Sequence, residues 1–449
     1  MTGDDAEPSE PGGPRPRGVG SALTGRAAAL TGRVTQLTHR ARTGLDVIRS
    51  HRPGRAGAPS RGVAFVGTVW TGGDSEPAPG VVVLDGSGHV SHLGDDRSVL
   101  PADLLVLGGP NHWIVPGIVD AHVHLFSKSA APDAEPELAG QLHTGVVGVR
   151  DLGAPSRLAI RWRTGHRPPP PGSPFIAVSG PIFTAIDGCP SRSGGPDGFA
   201  EPVTSPTHAR WAVQRLAAEG IDVVKIALDG GGAGWAAPAP AVVRAIVDAA
   251  HAAGLPTVAH ALTVTMVERA LAARVDELAH TPTERLSPAL IDRIAASSLS
   301  VTSTLQTFFS AGTGRAAAAN AADLIAAGVQ VRYGTGLGNS GTRPGVDPRE
   351  LDRLADAGLG RLGALRAATE WSATAGGMRR RTGRIILGEA AALVLLPASP
   401  LVEPGIWRTP SAVFADQRLT VAPNAQPQQG ASTTRPGSAA HAPADPESR

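Results

Sequence analysis

The chain has 449 residues, enough for one large domain or two of ordinary size, and 41% of them are hydrophobic but only 4% aromatic. Ala, Val and Leu must therefore fill most of the core. The formal net charge of +2 gives no reason to expect a nucleic-acid partner, and a single cysteine, Cys189, excludes an internal disulfide and suits the reducing cytoplasm.

No run of about 18 apolar residues is present for a membrane span. The first residues, MTGDDAEPSEPGGPRPRG, lack the basic start and apolar stretch of a signal peptide. The 41 basic residues include only two lysines, Lys128 and Lys225. A lysine in so Arg-dominated a chain is informative, because Lys can lose its charge when buried and Arg cannot.

Residues 1–55 stand apart from the rest. The first 18 are rich in Pro, Gly and acidic residues and predict disorder. From Ser21 to Ser50, Leu23, Leu30, Val34, Leu37, Leu45 and Ile48 recur at helical spacing among arginines. This predicts a basic amphipathic helix, either packing on its own domain or meeting a surface or partner. Residues 56–112 read as short strands with Gly-bearing turns: GVAFVGTVW, GVVVLDGSGHVSHLG and DLLVLGG.

From 113 to 380 the texture becomes strand, helix, strand. The strand candidates are IVPGIVDAHVHL, GVVGVRDLG, PFIAVSG, DVVKIAL, PTVAHAL, VDELAHT, LSVTSTL and VQVRYGTG. Ala-rich helical stretches such as THARWAVQRLAAEG and PAVVRAIVDAAHAAG lie between them. This alternation and length predict a parallel α/β fold, an eight-stranded (β/α)8 barrel ahead of a doubly wound sheet. No GxGxxG follows a first strand, so a dinucleotide-binding fold has no support. Residues 381–424 return to strands: TGRIILG, AALVLLPAS and SAVFADQRLTV. Strands at both ends predict a small β domain built from both ends of the chain. Residues 425–449 predict a disordered tail.

The chemistry concentrates at strand ends. On a strand, alternate side chains share a face, so His122 and His124 point the same way. Lys225 lies inside an apolar strand, and His260 and His280 close two more. Buried imidazoles and a buried amine need partners, and a metal ion is one strong way to satisfy them together.

PGIVDAHVHL, GIDVVKIAL, PTVAH, DELAH and the closing GRIILGEAAALVLL, in that order over about residues 61–400, resemble the amidohydrolase superfamily, in particular its imidazolonepropionase-like and metal-dependent dipeptidase branch. The resemblance implies a distorted (β/α)8 barrel flanked by a β-sandwich made from both ends of the chain. It implies a site for one or two metals, usually zinc, with manganese, iron or nickel as alternatives. His122 and His124 would bind the more buried ion; Lys225, carboxylated by carbon dioxide, would bridge two; His260 and His280 would bind the second. The implied activity is hydrolysis of a C–N bond in a small cyclic amide or peptide-like substrate through metal-activated water. A homo-oligomer is compatible with the sequence.

The pattern departs from the family at three places. The eighth strand should end in a motif like GTD, but VRYGTGLGNSG puts Gly336 at the aspartate position. TAIDGCP puts Cys189 where a TxxGGHP-type loop has histidine, and AALVLL puts Ala392 where ADLVLL has Asp. Glycine can neither ligate nor move a proton through a side chain. Three readings follow: a hydrolase with a shifted base, Asp347 being the nearest downstream carboxylate unless it caps a helix at Pro348; altered chemistry; or a catalytically silent metal-binding or interaction protein. Cys189 reads as a small loop residue, since no histidine stands in dyad spacing to it. Arg379, Arg380 and Arg381 read as helix C-terminal charge.

Overall fold

A computed structural model describes residues 55–56, 62–101, 103–126, 138–163, 173–191, 197–229 and 235–422. The expected N-terminal disorder and amphipathic helix, Lys128 and the tail from 425 lie outside the described residues.

The two ends of the chain build one eight-stranded sheet. Its strands are β1 (Arg55–Ala56), β2 (Val63–Val69), β3 (Ala78–Leu84), β4 (Val90–Gly94), β5 (Leu105–Pro116), and, from the far end of the chain, β16 (Leu393–Leu396), β17 (Ala412–Ala415) and β18 (Arg418–Val421). Their order is β1-β18-β17-β16-β5-β2-β3-β4. Alternation along β2 sends Val63 and Phe65 to one face, packed with Leu84, Leu393 and Phe414, and Ala64 and Val66 to the other. The β17–β18 hairpin turns through Asp416 and Gln417, both left-handed at φ 48° and 59°, the two-residue turn that matches strand twist. TGRIILG, expected as a strand, is bends and turns instead, tied down at separate points: Thr382 Oγ1 donates to the Gly117 carbonyl, Ile385 N to Thr71 and Gly388 N to Val90. Ala392 is buried, and its carbonyl accepts from Gly117 N at 2.9 Å.

Gly117 leads directly from β5 into β6 (Ile118–Val123). A Cβ there would sit 2.3 Å from the Val147 side chain, so only glycine lets the strands approach. A parallel three-stranded sheet holds β6, β7 (Val146–Asp151) and β8 (Phe175–Val178). A parallel seven-stranded sheet runs β10 (Ala200–Pro202), β9 (Ile182–Thr184), β11 (Val224–Ala227), β12 (Thr257–His260), β13 (Glu277–Leu278), β14 (Ser300–Thr302) and β15 (Val331–Arg332). Backbone bonds connect the two. Asp222 N donates to the Val178 carbonyl at 2.8 Å, and on the other side Ala121 N donates to Tyr333 and His124 N to Leu337, at 3.2 and 2.7 Å.

Helices alternate with the parallel strands: α1 (Ser156–Arg163), α2 (Pro206–Glu219), α3 (Pro240–Ala252), α4 (Val264–Ala273), α5 (Pro288–Ala295), α6 (Leu305–Ser310), α7 (Gly314–Ala326) and α8 (Pro348–Leu354). Four of them start on proline, whose missing N–H costs nothing in the first turn. Ser205, Ser287 and Asp347 cap α2, α5 and α8 by accepting from His208, Leu290 and Arg349 N–H. One stripe of each longer helix is buried; on α2 it is Ala209, Ala212, Val213 and Leu216. The last helical turns end at Ala375, so Arg379–Arg381 lie beyond them, and Arg381 stacks 4.9 Å over the Phe175 ring rather than neutralising a helix end.

Candidate metal centre

The site is built where parallel strands end. His122 lies at the end of β6 and His124 just past it, with β7 and the chain after β15 on either side. Asp120 fixes this corner: it is fully buried and accepts from His122 N, Thr335 N and Thr335 Oγ1. It thereby fastens β6 to the segment that carries Gly336. Burial raises its pKa to about 6 against those hydrogen bonds.

Lys225 sits in β11, in register with Val258, and Ala227 is in register with His260. His280 follows β13 by two residues. The rings form a chain: His124–His122 centroids are 4.9 Å apart, His122–His280 4.5 Å and His280–His260 4.9 Å. The Nε2 atoms of His122 and His124 are 3.1 Å apart, close to the spacing of two nitrogens each about 2.0–2.1 Å from a common zinc.

Two of the outer nitrogens are already engaged: His122 Nδ1 meets the Ala279 carbonyl at 2.8 Å, and His280 Nδ1 meets Thr304 Oγ1 at 2.7 Å. With Nδ1 of His122 donating to that carbonyl, its Nε2 keeps a lone pair for an ion, the usual arrangement of ligating histidines. Burial, with Lys225 adding to it, lowers His124 and His260 to about 3; burial holds His122 and His280 well below 6.5. All four are neutral at pH 7.

Lys225 is 2% exposed, and its Nζ has no hydrogen-bond partner among the described residues. Burial, and then the Arg150 guanidinium, bring it down to about 7. Arg150 belongs to a buried network with Glu277, Arg332 and Thr302 on neighbouring strands. Asp151, at the end of β7, accepts from Leu125 N and Gly153 N, and burial raises it to about 7.

The four sequence-predicted histidines therefore stand together at one end of the parallel strands, and Lys225 lies within β11, two residues short of the level of His260. Their donor atoms are not drawn onto one point: among the described residues no three His, Cys, Asp or Glu side chains stand ready to hold a metal. The donor set nevertheless fits a divalent ion, with four neutral imidazoles, engaged outer nitrogens on His122 and His280, and a buried amine with no hydrogen-bond partner among the described residues.

Gly336 is left-handed at φ 65°, its N–H donating to the His122 carbonyl at 2.9 Å. A Cβ there would point at Thr307 Oγ1, 2.9 Å away, with Asn339 Nδ2 and Thr304 Cβ beyond. The vacated carboxylate position is thus bordered by hydroxyl and amide groups. Asp347 does not replace it: its carboxylate caps α8 and pairs with Arg349 at 2.7 Å. Cys189 is partly buried, and burial raises its pKa, so it is a thiol at neutral pH. Sequence reasoning missed Thr304, Glu350 and Asp151. Only Asp151, in the strand-end tripeptide RDL, stood where a site residue is expected.

No protein-family model matches the sequence, and no curated protein is matched by it. Solved structures are matched across most of the chain. A Xaa-Pro dipeptidase with methionine in its active site is 19% identical, with a TM-score of 0.71, over 80% of this chain and 100% of that one. A candidate prolidase from Bifidobacterium longum is 25% identical, with a TM-score of 0.71, over 82% and 96%. The chain has the amidohydrolase-superfamily fold. The A. niger ochratoxinase shares it at 17% identity and a TM-score of 0.66, over 81% and 97%. In this fold the histidine pair lies at the end of β6, Lys225 lies within β11, His260 ends β12 and His280 follows β13. Among the described residues no helix is long and apolar enough to cross a membrane.

Proposed function

We propose that this chain is a metal-dependent hydrolase of C–N bonds in small amide or dipeptide-like substrates. The two parallel sheets are read as the halves of a distorted (β/α)8 barrel, and the eight-stranded sheet as its β-sandwich companion. The observation that carries the proposal is the chain of four neutral imidazoles, with ring centroids 4.5 to 4.9 Å apart, within electrostatic reach of a buried Lys225 whose Nζ has no hydrogen-bond partner among the described residues. His122, His124, His260 and His280 would hold one or two divalent ions, zinc being the natural choice for imidazole donors. Bound there, such an ion supplies Lewis-acid activation, bringing water to a pKa of about 7. A neutral Lys225 Nζ can take up carbon dioxide and become an anionic ligand. Phe199 and Phe308 stand edge-on to His124 and His280, at 6.3 and 5.5 Å, and keep water from those sides.

The hydroxyl and amide groups beside Gly336 favour a second reading: a metal-binding protein that runs different chemistry or none. One experiment separates them. Metal analysis of the purified chain, followed by assay of the loaded protein on Xaa-Pro dipeptides and N-acyl amino acids, should give bound zinc and amide cleavage. Bound zinc without cleavage selects the second reading. No metal bound with His122 and His124 intact refutes both.

A further inference from the structure

We infer that Glu350 is a positioning residue that sets the metal affinity of the site through Thr304 and His280. The inference rests on the four histidines being the metal centre. Thr304 is a β-branched residue held left-handed, at φ 48° and ψ 31°, a conformation such residues adopt only when their surroundings impose it. The imposing group is the Glu350 carboxylate, fully buried and reaching in from α8. It accepts from Ser303 Oγ on one side of Thr304 and from Leu305 N and Gln306 N on the other, the latter at 2.9 and 2.6 Å.

Arg353, one turn along α8, grips the same strap. Its Nε donates to Gln306 Oε1 at 2.9 Å, and its guanidinium lies 3.4 Å over the Phe309 ring. Clamped this way, Thr304 presents Oγ1 to His280 Nδ1 at 2.7 Å, and Phe308 of the same strap packs against the His280 ring. A carboxylate that only capped α6 would leave the Thr304 side chain free to take any direction. Here the capped backbone and the histidine meet at the one hydroxyl. With Nδ1–H donating to that hydroxyl, His280 keeps its Nε2 lone pair directed at the cluster.

The test titrates zinc alone into the metal-stripped full chain against a competing chelator. Losing the partner of a ligating histidine costs roughly ten- to hundredfold in affinity. Thr304→Val, which keeps shape and loses the hydroxyl, should weaken zinc by that factor, as should Glu350→Gln. Thr304→Ser should stay within about threefold of the parent. In metal-free, 15N-histidine-labelled protein, His280 should show one tautomer in the parent and a mixture in Thr304→Val, a signature that loss of stability alone does not produce. Parent-like zinc affinity in Thr304→Val and Glu350→Gln, while His280→Ala loses it, overturns the inference and leaves the metal centre standing. Parent-like affinity in His122→Ala and His280→Ala as well overturns both. If Glu350→Gln does not fold, Thr304→Val decides alone.

Discussion

Glu277 offers the sharpest test of how the interior of the parallel strands is held together. Its carboxylate is 4% exposed and bonds Arg150, Arg332 and Thr302. Burial alone would raise its pKa, but Arg150 and Arg332 outweigh burial and hold it at about 2, against an ordinary 4.5. At about 1.36 kcal/mol per tenfold, that difference corresponds to roughly 3 kcal/mol of stability. Removing one partner of a buried ion pair also costs about 3–5 kcal/mol, since the other charge is left uncompensated. Glu277→Gln keeps the shape and removes the charge, leaving two buried guanidinium groups facing an amide. Urea denaturation at pH 7 should show a loss of about 3 kcal/mol. The sign with pH is fixed. A depressed carboxylate contributes stability that is fully present above 4.5 and lost as pH falls toward 2. The gap between parent and variant should therefore narrow steadily below pH 4.5. A loss under about 1 kcal/mol at pH 7, or a gap that does not shrink in acid, refutes the reasoning.

Three further outcomes follow from the same structure. In chelator-treated protein Lys225→Met should raise stability by a few kcal/mol at pH 7, because burial and then Arg150 hold Lys225 at about 7 against an ordinary 10.5. Between those values the unfolded chain binds more protons, so the parent gains stability as pH rises, and the advantage of Met should fade toward pH 10.5 in thermal melts. Gly336→Asp should cost about 2 kcal/mol by denaturation, because it forces a left-handed side chain against Thr307 Oγ1 and disturbs the bond from that hydroxyl to the Thr335 carbonyl; new amidase activity in the folded variant would mark a disabled hydrolase. Asp347→Ala should cost about 1 kcal/mol of helix capping and leave zinc affinity unchanged; a collapse of turnover without loss of zinc would make Asp347 the shifted base after all.

The ligand candidates were legible because their signals are local. His122 and His124 are two apart on a strand, and Lys225 is one of two lysines in the chain. The composite sheet was legible for the same reason: strand patterns stand at both ends of a run of alternating strands and helices. TGRIILG misled because three adjacent apolar or β-prone residues imitate a strand, while Gly383 and Gly388 at φ 97° and 83° turn the chain on either side of them. Thr304 and Glu350 were not legible. Their sequence surroundings, STLQ and PRELD, read as a strand end and a helix start, and their roles depend on α8 reaching across 45 residues to Leu305 N. Gly336 was legible as a missing aspartate, but its left-handed backbone was not, and it changes what restoring the aspartate would do.

The buried charges explain why an amine could be placed at this site without a partner. Two guanidinium groups, Arg150 on β7 and Arg332 on β15, face one carboxylate, Glu277 on β13, and Arg150 and Glu277 both act electrostatically on Lys225. That network carries one net positive charge, so a second cation at Lys225 would be repelled as well as desolvated, and the neutral amine wins near pH 7. The four imidazoles are neutral for the same reason, burial, so each has one nitrogen lone pair free before any ion arrives. An ion bound as proposed would have no proton to displace from the histidines, and its affinity would not fall away just below pH 7 as it would for ordinary imidazoles. A neutral Nζ is also the only form of lysine that can react with carbon dioxide. The carbamate proposed here would bring a negative charge to a residue that the positive network acts on and would supply an anionic ligand for a divalent ion. The same Arg150 that makes protonated Lys225 unfavourable would stabilise its carboxylated form, and the amine and the ion would each lack a partner without the other.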